Sequence, residues 1–210
     1  MAAPGFPLPL RNALAELALA AHGDDAAVAA LEWLAAPAGA PGAAAAARLA
    51  ALHLIDPGDA SLLAVHAPHA ARVAEHARRA LRAAAGVRAH AAGDGLARTV
   101  VRAAALWNEG LFFEVHEILE PPWQTAEGPA RQALQGVIQI AVAFHHLRHG
   151  NAPGARTLLR EGRERLASVP AATLPGLDLA ALADATAPWE EKLAAGTPPA
   201  EPVPRLAIRG

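Results

Sequence analysis

Alanine sets the first limit on what this chain can fold into. It is the commonest residue and comes in runs such as 43–47, while strand-favouring residues are scarce: no Tyr, four Phe and four Trp in 210 residues. Alanine loses almost no side-chain entropy in a helix, whereas sheets select β-branched and aromatic residues. The balance predicts an all-α protein. Alanine also carries little apolar area, so Leu, Phe and Trp must anchor the packing.

Hydrophobic residues make up 53% of the chain and charged residues 18%, which suits a globular protein with room for one or two small domains. The net charge of −2 lacks the basic excess of a nucleic-acid binder. The absence of Cys rules out disulfides, thiolate metal sites and a Cys nucleophile, and it fits a reducing compartment. No apolar run reaches membrane-spanning length, and the N-terminal MAAPGFPLPLRNALAEL lacks the basic-then-apolar order of a signal peptide. The expected location is the cytoplasm.

Turn signals divide the chain. Residues 1–10, with three prolines, read as an irregular arm. Leucines at helical spacing then run to Leu34, broken at HGDD (22–25), where an Asp can cap a second helix. Ala43–Ile55 reads as helix, DPGD (56–59) as a turn, and 68–92 as a long amphipathic helix closed by AGDG (92–95). A boundary is expected there, with residues 1–95 a helical extension or small domain and 96–210 a helical bundle. Within the bundle, helices are expected at about 97–108, 112–120, 129–149, 153–168 and 179–193, followed by a Pro-rich extended tail.

The segment FFEVHEILEPPW (112–123) carries dense ionisable chemistry on an otherwise apolar helix. On a helical wheel, Phe112, Val115, Ile118 and Leu119 form the core arc. His116 and Glu120 lie at its edge, Glu114 and Glu117 further out, nearer to solvent or to another helix, and Pro121-Pro122 break the helix off. Glu120 at a helix C-terminus and Arg131 in the next helix's first turn are each misplaced for the macrodipole, so pairing would relieve both. The helix 129–149 is apolar nearly all round, which marks it as central, yet Gln135, Gln139 and His146 share one stripe. Buried polar groups must find partners. Asn108, His116, Glu117, Glu120, Arg131, Gln135, Gln139 and His146 are therefore expected to converge.

HEILE places His116 and Glu120 at i and i+4, a spacing that can put two ligands on one divalent metal ion, with Glu117 as a general base. His146 is the candidate third ligand from the neighbouring helix. The pattern is not the zincin one, which needs a second His at i+4. His66 and His69 straddle Pro68 and read as a solvated pair. Arg156, Arg160 and Arg163, interrupted by Glu161 and Glu164, read as a solvated face. Trp107, Trp123 and Trp189 read as core anchors.

LWNEGLFFEVHEILEPPW, ARQALQGVIQIAVAFHHLRHGN and LPGLDLAAL with the later PRLAI resemble, in order, the domain of unknown function 309 (DUF309) family of small helical proteins from bacteria and archaea. The likeness spans about 97–209 and implies a compact all-α bundle. Its motif positions fall on Asn108, Gly110, Phe113, Glu114, His116, Glu117, Glu120, Trp123, Arg131, Gln135, Gly136, Gln139, His146, Gly150 and Asn151. The chain departs from it at Pro121-Pro122. The resemblance implies no reaction, and whether the chain is an enzyme stays open. Three functions remain. One is a structural or interaction module, with a protein or small-molecule partner, possible homo-oligomers, and neither nucleic acid nor membrane. Another is a metal-assisted hydrolase using His116, Glu117, Glu120 and His146. The last is a metal-free pocket lined by the cluster with Glu114 and Trp123.

Overall fold

The computed structural model describes residues 5–88, 95–197 and 202–208. Among them are nine α-helices and no strand, so the protein is all-α. The chain divides into two compact units, one spanning Gly5–His90 and the other holding Ala91–Gly210.

The first unit contains α1 (Leu8–Ala20), α2 (Asp25–Ala35), α3 (Ala43–Ala51) and α4 (Ala70–Arg88). Helix α2 packs against α1, α3 and α4. Its start follows from Asp24, whose carboxylate accepts from the Ala26 and Ala27 amides and satisfies two N-terminal donors. The core is alanine and leucine, with Leu14, Leu17, Ala18, Ala27, Leu31, Ala77 and Ala80 all buried. Arg79 and then Arg78 bond to Glu75 and hold its carboxyl below the usual carboxylate range. Three expectations fail here. His66 and His69 are not a solvated pair: His66 is buried, its Nε2 3.1 Å from the His53 carbonyl, and His69 is half-buried. The arm at 1–10 is already helical from Leu8, because Pro9 suits a first turn that has no use for its missing N–H. The helix expected over Ala43–Ile55 ends at Ala51, where His53 takes a positive φ and Ile55 turns into a bridge with Leu62. A 3-10 turn, Ala64–His69, absorbs Pro68 ahead of α4. The expected end of α4 at residue 92 lies outside the described residues.

The second unit contains α5 (Leu96–Asn108), α6 (Phe112–Thr125), α7 (Gly128–Arg148), α8 (Ala152–Ala167) and α9 (Leu179–Ala194). Helix α7 is central, with α6 on one side and α8 on the other; α5 packs on α6 and α9 on α8. The α7–α8 crossing is set by two glycines. A Cβ on Gly136 would sit 2.6 Å from Leu166 Cδ2, and one on Gly162 would sit 2.7 Å from Ile140 Cγ1 and 2.8 Å from the Gly136 carbonyl. Hydrogens in place of side chains let the backbones approach, and dispersion contacts then repay the low helix propensity of glycine. Trp107, Phe112, Phe144 and Trp189 form the aromatic core, with Phe144 edge-on to both tryptophans at 5.5 and 5.0 Å. Such pairs add about 0.5–1.5 kcal/mol each beyond their buried area.

Candidate functional site

Helix α6 positions the site. It begins at Leu111, just after Gly110 has turned the chain at φ +69. The Gly110 carbonyl accepts from Arg148, and the same guanidinium lies 4.8 Å over the Phe112 ring. A Cβ at Gly110 would run into that guanidinium, so glycine is required there for both backbone conformation and space. Helix α6 does not stop at residue 120 but runs through Pro121 and Pro122 to Thr125. Proline φ is compatible with a helix; what is lost is the two N–H groups that would bond the Glu117 and Ile118 carbonyls, and the rings crowd those same carbonyls. The last turn is secured from outside. Thr125 Oγ1 donates to the Pro121 and Pro122 carbonyls, and Arg131 Nη1 donates to those of Trp123, Gln124 and Ala126 at 2.8, 3.2 and 3.4 Å.

The expected convergence does not occur. Arg131 forms no ion pair with Glu120; it covers the negative end of α6 and lies 4.6 Å over the Trp123 ring. Its Nη1 alone serves three carbonyls at the end of α6, which a helix terminus leaves without intrahelical partners. Glu120 instead accepts from Gln124 at 3.3 Å. Asn108 turns to the C-terminal tail, where its amide bonds both main-chain groups of Leu206 at 2.9 and 2.8 Å. Gln139 faces α8, donating to Glu161 at 2.9 Å and accepting from Arg165 at 3.0 Å. Arg165 also reaches Gln132 at 2.6 Å. His146 accepts at Nδ1 from Asn151, the residue whose Oδ1 caps α8. Gln135 is half-buried on α7.

Glu114 is the reverse case. The wheel put it outward, yet it is 2% exposed. Of solvent and another helix, the two surroundings open to it, burial leaves the second; both α5 and α7 pack on α6. Its place in the first turn of α6 suits the positive end of the dipole. Trp107 and Trp189 are buried core anchors, whereas Trp123 is only half-buried, its Nε1 shielded and without an acceptor.

What remains together is His116, Glu117 and Glu120. One ligand atom from each lies within 4.8 Å of the others, and all are half-buried. His116 Nδ1 is 3.0 Å from Glu117 Oε1, with side chains 31% and 36% exposed. A carboxylate only accepts, so Nδ1 carries the proton; in the neutral ring Nε2 then holds the lone pair. A carboxylate that fixes a histidine tautomer is the usual support of a metal-binding imidazole. His146 is outside this group. The histidine of α7 that approaches α6 is His145, 6.0 Å ring to ring from Phe113, which itself lies 6.3 Å from His116.

Sequence reasoning missed Arg148, Gly162 and Arg165, and it misplaced Arg163, which is not on a solvated face: half-buried, it donates to the Ala183 carbonyl at 2.9 Å and pairs with Glu190. Arg148 looks like a routine helix-end cation, and only its meeting with Gly110 reveals the role. Gly162 did leave a trace, since a glycine inside a helical pattern calls for a packing reason.

The five helices and the half-exposed His/carboxylate face define an all-α domain with one polar cluster on its second helix. Residues 100–158, which span that cluster, match the family model described as domain of unknown function DUF309; the chain carries a DUF309 domain there. No curated protein and no solved structure matches the chain. No helix among the described residues is long and apolar enough to cross a membrane.

Proposed function

We propose that residues 96–210 act as a helical scaffold and interaction module, with 1–95 as a helical extension. The observation that carries this reading is dispersal. Asn108, Arg131, Gln139 and His146 each bond a different local partner: the tail, the end of α6, helix α8 and the α8 cap. These groups fasten elements together. The surface they leave for a protein partner is the α6 face with Phe113, His116, Glu117 and Glu120. A double-mutant cycle tests the dispersal. Asn108→Ala and Arg131→Ala should destabilise additively, within about 0.5 kcal/mol, as independent sites do. A coupling above about 1 kcal/mol would mean that the two share one network.

The clustering of His116, Glu117 and Glu120 favours a second reading, a divalent-metal seat supporting hydrolysis. His116 Nε2 and a Glu120 oxygen would hold the ion, with Glu117 orienting the imidazole or acting as base. Elemental mass spectrometry on untagged protein incubated with zinc, manganese or iron checks it. Near-stoichiometric metal that is lost in His116→Ala supports this reading, and no metal in either protein ends it.

A further inference from the structure

The C-terminal segment 202–208 is bound the way a protein binds a peptide. Asn108 Nδ2 donates to the Leu206 carbonyl at 2.9 Å, and Asn108 Oδ1 accepts from the Leu206 amide at 2.8 Å. One side-chain amide thus satisfies both main-chain groups of one extended residue, as a neighbouring strand would. Trp107 Nε1 donates to the Pro204 carbonyl at 2.7 Å. Ile208 forms an antiparallel bridge with Leu177. The side chains alternate: Arg205 and Ala207 are exposed, Leu206 is buried at 7% exposure, and Ile208 is half-buried. Leu177 beside it is buried as well.

We propose that the groove formed by the end of α5 and the Leu177 segment is a peptide-recognition site. Its ligand class is an extended segment with the spacing Pro-x-Leu-x-Ile, and the chain's own Pro204, Leu206 and Ile208 occupy it as a built-in, displaceable ligand. Three of the contacts read main chain and are available to any extended peptide. Leu206 supplies the buried anchor. Pro202 and Pro204 hold the segment extended before it docks, which lowers the ordering cost of binding. Asn108 and Trp107 stand at the end of α5 on rigid helix, where a recognition group keeps its geometry. This site is independent of the α6 cluster and does not rest on its reading.

The test uses the full chain. Leu206→Asp puts a charge into the anchor position and releases the tail while leaving the groove intact. A fluorescent peptide of sequence PVPRLAI is titrated into the parent, Leu206→Asp and Leu206→Asp/Asn108→Ala, with helix content checked by circular dichroism. The released chain should bind the peptide. The parent should bind it about 100-fold more weakly or worse, because a tethered tail competes at an effective concentration in the millimolar range. Adding Asn108→Ala should cost about tenfold or more. The control peptide PVPRDAI should not bind. A folded Leu206→Asp chain that ignores PVPRLAI, or takes both peptides equally, overturns the proposal. Loss of helical fold in Leu206→Asp overturns it too, because the tail would then be an inseparable part of the core.

Discussion

The two units solve the same packing problem with different materials. In Gly5–His90 the buried set is largely Ala and Leu, and the ion pairs that decorate it, such as Arg48–Glu16 and Arg79–Glu75, lie at its half-buried edge. Helix periodicity explains nearly all of it. In the DUF309-bearing unit, a two-glycine crossing sets the α7–α8 approach, four aromatic rings fill the centre, and side chains bind backbone at defined points: Asn108, Trp107, Arg131, Arg148 and Arg163. The first unit has side-chain contacts to backbone as well, from Trp33 to the Gly39 carbonyl, Arg78 to that of Ala35 and His66 to that of His53, but its centre is alanine and leucine. The second needs particular residues. Specific chemistry concentrates where the fold itself is specific, and that unit also carries the only His/carboxylate group able to share an ion among the described residues.

That contrast can be broken most sharply at Gly162. Gly162→Val should cost about 3 kcal/mol, since the added side chain meets backbone and a packed isoleucine that cannot yield. Ala77→Gly, in the alanine core of the first unit, should cost only about 1–2 kcal/mol from helix propensity and a lost methyl. Urea unfolding of both variants checks the order. Equal losses would remove the distinction between the units.

Gly110→Ala comes next, at about 2 kcal/mol, because it forces an L-residue to positive φ and evicts Arg148. Arg148→Ala in the same background should recover part of that loss, which a thermal-melt series would show.

The smallest effect belongs to Glu75. Its folded pKa is depressed by Arg79 and Arg78, so its contribution is present above the ordinary glutamate value of 4.5 and is lost as pH falls through the folded value. Glu75→Gln should therefore show its small loss at neutral pH and none in acid, which flattens the acid limb of the stability curve. Added salt should erase the difference, as it does for exposed pairs. A large loss at pH 7 would contradict the view of this surface as decoration.

The helices of the second unit were legible because their period, glycine stops and proline starts are local signals. The Asp24 cap was legible for the same reason. Pro121-Pro122 misled, because a helix can run on through prolines, and nothing local shows that Arg131 will cover the carbonyls of Trp123, Gln124 and Ala126 at the end it then reaches. The cluster was half legible. The i, i+4 relation of His116 and Glu120 is fixed by the helix itself, so it survives any tertiary arrangement. Convergence on Asn108, Gln139 and His146 depended on which neighbour each helix face meets. A wheel cannot show that Asn108 meets a segment 98 residues away or that Gln139 meets α8. For the same reason the wheel left Glu114 between solvent and another helix, and burial decides it.

In the module proposed above, Arg131 is architecture and His116 is surface chemistry that the architecture leaves over. Guanidinium chloride unfolding of the parent, Arg131→Ala and His116→Ala tests it directly. Arg131→Ala should lose about 2 kcal/mol, from the uncovered end of α6 and the lost contact with Trp123. His116→Ala should stay within about 0.5 kcal/mol of the parent, as half-exposed groups without structural duty do. A His116→Ala chain destabilised as much as Arg131→Ala would contradict the claim, making His116 part of what holds the bundle together.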